Sequence, residues 1–71
     1  MKLAAIREVV RDAKGGARTI GALLEVCAAD LALDRALAVG DRLAVRSALA
    51  GLAKAAGWRP LDARSLAWMT T

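Results

Sequence analysis

Apolar residues recur along this chain at intervals of three and four, in three long runs that glycines interrupt. That interval matches the turn of an α-helix, so each run predicts a helix with one buried side. In "KLAAIREVVRDAKGG", Leu3, Ile6, Val10 and Ala13 fall on one face, with Arg7, Glu8, Arg11 and Asp12 mostly opposite. Arg11 and Lys14 occupy the last turn, where the helix dipole favours cations, and Gly15-Gly16 supplies the stop.

The second run opens at Thr19, whose hydroxyl suits a helix N-cap. Ile20, Leu23, Leu24, Cys27 and Leu31 then align as one apolar stripe, expected to face the core. Beyond Asp30 the phase blurs. "DLALDRALAVG" either carries the helix on to Val39 or breaks and restarts at Asp34, and two shorter helices suit a compact domain better. Gly40 ends the run in both cases. In the third run, "DRLAVRSALAGLAKAAGW", Asp41 is the cap and Val45, Leu49, Leu52 and Ala56 form the buried stripe, with Ala48 and Ala55 beside them. Gly57 stops it, Trp58 is expected to fold back over its end, and Pro60 prevents continuation. The tail "LDARSLAWMTT" has room for two turns, capped by Asp62 and anchored by Trp68 and Met69. No period-two alternation or hairpin signal predicts a strand. The expectation is one all-α domain over residues 1–71, a compact bundle of three to four short helices, helix-turn-helix-like.

Composition qualifies that expectation. Of 71 residues, 18 are alanine, none is phenylalanine or tyrosine, and Trp58 and Trp68 are the only rings. Alanine favours helix but brings little apolar area to a core. The eleven leucines must supply most of it, and a chain this short has a thin stability margin. A partner is therefore expected, most simply a second copy of the chain.

The net charge is +4, with a pI near 10.2, and it is unevenly spread. Residues 1–18 carry five bases and two acids, residues 19–41 four acids and one base, and residues 42–61 four bases and no acid. Such a balance is compatible with nucleic acid, an anionic surface or an acidic protein.

Catalytic chemistry finds little support. The chain has no histidine and one cysteine, which excludes an internal disulfide and disfavours metal sites; no cofactor is expected. Cys27, on the apolar stripe, reads as a small buried hydrophobe. Asp30 and Asp34, four apart, read as a solvated face rather than a catalytic pair. "KGGAR" lacks the spacing of a phosphate loop. Charges interrupt every apolar run before membrane-spanning length, and Arg7 and Glu8 interrupt any signal-peptide stretch, so a cytoplasmic protein that is not an enzyme is expected.

The basic third helix stands above this background. Arg42 and Arg46 are one turn apart, Ser47 adjoins them, and Lys54 lies two turns further on, while Val45, Leu49 and Leu52 take the other face. A helix of this kind fits the major groove, where arginine contacts guanine edges and lysine neutralises phosphates. Arg18 and Thr19 would add phosphate contacts at a helix N-terminus. Val45, Arg46, Ala48, Leu49, Leu52, Gly57 and Trp58 resemble the recognition helix of winged helix-turn-helix regulators of the GntR-like type, over residues 45–58. That resemblance implies base contacts from Arg42, Arg46 and Ser47 and backbone contacts from Lys54 and Arg59. A wingless helix-turn-helix register with Gly40 as the turn glycine instead places Arg46 at a usually buried position. The leading expectation is a small regulator acting by occupancy of duplex DNA, as a dimer. The competing one is a helical protein–protein interaction module, an adaptor or inhibitor, with no nucleic-acid role.

Overall fold

The computed structural model describes residues 1–59 and 61–71. Four helices follow in order: α1 (Leu3–Gly16), α2 (Ile20–Val39), α3 (Arg42–Ala55) and α4 (Ala63–Met69). No strand occurs among the described residues, and the chain is an all-α bundle. Pro60, expected to block helix extension, lies outside the described residues.

The caps sit where side-chain chemistry places them. The Thr19 hydroxyl accepts from the Ala22 N–H at 3.0 Å, and the Asp41 carboxylate accepts from the Ala44 N–H at 3.1 Å. Gly40 and Gly57 both adopt left-handed φ, 71° and 76°. Each closes a helix in the same way. The Asp41 N–H returns to the Ala36 carbonyl at 3.1 Å, and the Trp58 N–H to the Ala53 carbonyl at 3.0 Å. A side chain at either glycine would strain the backbone there.

Residues 20–39 form one continuous helix of 20 residues rather than two. Leu31, Ala32 and Leu33 are good helix formers, and no glycine or proline lies between Asp30 and Asp34 to break the ladder. The two residues Gly40 and Asp41 turn the chain back, and α3 runs antiparallel along α2. Eleven residues beyond the turn on each side the helices still touch: a Cβ on Gly51 would stand 3.8 Å from that of Ala29. Alanine and glycine at this seam allow the close approach. α3, like α1, packs against all three other helices, and its pairing with α2 is the most extensive in the bundle.

The core comprises Ile6 and Ala13 of α1, Val26, Leu33 and Ala36 of α2, Val45, Ala48, Leu49, Leu52 and Ala53 of α3, and Met69 of α4. Burying each of the larger side chains contributes roughly 1.5–3 kcal/mol. The faces expected for α1 and α3 are the buried ones, except that Leu3 is exposed and Val10, Ala55 and Ala56 are half-buried.

The expected face of α2 is reversed. Ile20, Leu23, Leu24, Cys27 and Leu31 look outward, and Val26, Leu33 and Ala36 look inward. This helix is apolar on both sides, and its smaller-residue side was drawn onto α3. Trp68 is also not an anchor. It is 58% exposed with the Lys2 ammonium 5.8 Å above its ring, while its neighbour Met69 enters the core.

The cap of α4 carries a pH dependence. The Asp62 carboxylate accepts from the Ser65 N–H at 2.6 Å, which holds its carboxyl below the ordinary value of 3.8. A depressed folded pKa contributes stability that is present above the unfolded value and is lost as pH falls through the folded one. Acidification into and below the usual carboxylate range is therefore expected to fray α4 first. Amide exchange at Ser65 and Leu66 should accelerate there in the wild type and show no such titration in Asp62→Asn. Equal acid sensitivity in the two proteins would refute this.

Candidate functional site

The basic residues of the third run do not form one outward face. The outermost side of α3 carries Leu43, 74% exposed, with Ser47 and Lys54. Arg42 is exposed at the start of the helix. Arg46 is turned toward α4: its Nε donates to the Thr70 Oγ1 at 2.8 Å. Thr70 is fully buried, and its hydroxyl donates in turn to the Leu66 carbonyl at 2.8 Å. Arg46 is thus a half-buried brace between α3 and α4.

Arg42 and Lys54, twelve residues apart, are separated by about 18 Å along the axis. The antiparallel course of α2 and α3 brings Arg18, Thr19, Lys54 and Arg59 to one end of the bundle. There the end of α1 meets that of α3: a Cβ on Gly16 would stand 3.3 Å from the Trp58 indole nitrogen and 3.4 Å from the Ala56 Cβ. Arg42 lies at the opposite end, beside the turn at Gly40. The Thr19 hydroxyl is already engaged as a cap. The seven residues expected to contact DNA are therefore divided between two ends and an internal brace.

The two carboxylates Asp30 and Asp34 have different surroundings. Asp30 is half-buried and accepts an ion pair from the Lys14 ammonium at 3.0 Å, and that hydrogen bond raises the Lys14 pKa. Asp34 is exposed, at the rim of an open hollow it shares with Met1, Leu3, Arg7, Leu37 and Ala38. One member of the pair is thus engaged by a cation while the other faces solvent. Among the described residues no group of three or more His, Cys, Asp or Glu is placed to hold a metal ion. No helix among them is long and apolar enough to cross a membrane.

The most unusual surface is the outer side of α2. Ile20 is 80% exposed, Leu24 65% and Leu31 55%, with Leu23 and the Cys27 thiol beside them. At 100° per residue, Leu24 and Leu31 point directly away from the core. The four large side chains expose on the order of 500 Å², the size of the largest patch on a typical monomer and far more contiguous than scattered surface leucines. Periodicity had singled out this stripe and placed it inside.

Comparison of the chain with family models, with curated proteins and with solved structures finds no match.

Proposed function

We propose that this chain is a helical protein–protein interaction module whose working surface is the outer side of α2, and that it performs no chemical step. The observation that carries this reading is the exposure of Ile20, Leu24 and Leu31 on the side opposite the core. Covering such a stripe removes apolar area from water, at roughly 25 cal/mol per Å² before the cost of association. The reading also accounts for a core that uses only three of the eleven leucines fully, Leu33, Leu49 and Leu52.

Duplex DNA binding by occupancy is the second reading. It draws support from the +4 charge and from the exposed Arg18, Lys54 and Arg59 at one end of the bundle. It ranks lower because Arg46 is occupied by Thr70 and Arg42 lies at the far end.

The test is the double variant Leu24→Glu, Leu31→Glu. Both positions face solvent, so helix content should be unchanged. Light scattering across concentration should give the wild type a mass above the 7.4 kDa of one chain, and the variant that single-chain mass. A wild type that stays at 7.4 kDa and that also captures no other protein through Leu24 and Leu31 overturns the reading. If that monomer also shows a salt-sensitive shift of mixed-sequence duplex DNA, the second reading takes its place.

A further inference from the structure

We infer that the occupant of the outer α2 face is a second copy of the same face, arranged antiparallel, with Leu24 against Cys27 of the other copy, Ile20 against its Leu31 and Arg18 beside its Asp34. This deepens the interaction reading and rests on it.

Four observations support this arrangement. The first is spacing. Ile20, Leu24, Cys27 and Leu31 are separated by four, three and four residues, the interval at which two helices bury one seam between them. Pairing each residue i with residue 51 − i closes all four into two layers, each used twice about a two-fold axis. A two-fold interface needs this self-complementarity.

The second is charge. Asp34 continues the same seam one turn past Leu31, where an apolar residue is otherwise wanted. In the antiparallel register it faces Ala17 of the other copy, next to Arg18, at the N-terminal end of α2, where the helix dipole also favours an acid. Arg18 and Asp34 are both exposed, and neither joins an ion pair within the subunit among the described residues. A parallel pair would instead set Asp34 beside its own copy and align the two helix dipoles.

The third is area. Two stripes of on the order of 500 Å² bury roughly 1,000 Å² together, at the threshold for a specific interface. The fourth is room. Gly21 and Ala28 flank the seam, and a Cβ on Gly21 would meet only the Thr19 Oγ1, at 4.0 Å. Nothing inside the subunit requires glycine there, whereas a close helix pair gains from it.

The experiment uses the full chain carrying Leu24→Cys, with the native Cys27 thiol retained. After mild oxidation the covalent dimer is isolated under denaturing conditions and cleaved after Glu25, which separates position 24 from position 27. The antiparallel register predicts that the peptide ending at Glu25 is joined to the one beginning at Val26. Bonds of 24 to 24 and 27 to 27 would establish a parallel pair and overturn the inference while leaving the interaction reading intact. Absence of any covalent dimer, in a wild type that is also monomeric, would remove the inference, and the interaction reading with it if that monomer captures no other protein. A wild type that assembles only with a different protein would remove the inference alone.

A charge exchange supplies a second readout that requires no cysteine. Arg18→Asp and Asp34→Arg should each weaken assembly roughly ten-fold, and the double exchange should recover most of the loss. Failure of the double exchange to recover affinity would exclude this register.

Discussion

Leu49→Ala is expected to lower the stability of this protein by about 3 kcal/mol. Leu49 is fully buried at the middle of α3, which packs against each of the other helices. It shares the core with Ile6, Val26, Leu33, Val45 and Leu52. Truncation loses the transfer free energy of its side chain and leaves a cavity, and helices braced from several sides close such a cavity only partly. A chain of 71 residues has roughly 4–10 kcal/mol of stability to lose, so the variant forfeits about 30% of it or more. The denaturant midpoint should fall with an unchanged slope, at fixed protein concentration because assembly also contributes. The same truncation at Leu24, on the outer face, should leave the fold of the single chain nearly untouched. A loss below about 1 kcal/mol at Leu49 would show that the α3 core is not as described.

The second large effect is expected at the Arg46–Thr70 contact. Arg46→Ala and Thr70→Val should each cost about 1–2 kcal/mol, since the hydrogen bond involves a charged donor and a buried hydroxyl. The double variant should cost less than the two together, with a coupling near 1 kcal/mol. The loss should concentrate in α4, seen as faster amide exchange at Leu66 and Met69. Strict additivity would mean that the contact contributes nothing. The result also bears on the nucleic-acid reading. Loss of DNA binding in an Arg46 variant would report detachment of α4 as readily as loss of a base contact, so Arg42, Lys54 and Arg59 are the informative positions for that question.

Much of the architecture was legible in the residues. Thr19, Asp41 and Asp62 mark helix starts because a short oxygen-bearing side chain satisfies the free N–H groups of a first turn. Gly40 and Gly57 mark helix ends because only glycine takes left-handed φ without strain. The inward stripe of α3 was equally plain, since Val45, Leu49 and Leu52 lie on one side, with Leu43 alone opposite. The working surface was legible only in part. Ile20, Leu23, Leu24, Cys27 and Leu31 stood out as a stripe, but periodicity measures how sharply a helix is divided, not which side is covered. The brace at Arg46 left no trace in the pattern of α3 itself, because its partner, Thr70, lies 24 residues away.

The residues alone, then, determined that this chain is helical, which side chains cap the starts of α2, α3 and α4, and which side of α1 and α3 is apolar. Those outcomes depend on interactions between residues a few positions apart. The tertiary structure decided which of two apolar sides of α2 is buried, because the alanine side lets α2 and α3 approach closely while the leucine side does not. It also decided that Arg46 holds α4 in place and that the remaining basic residues lie at opposite ends of the bundle. Those outcomes depend on which helices meet, and distance along the chain does not encode that directly.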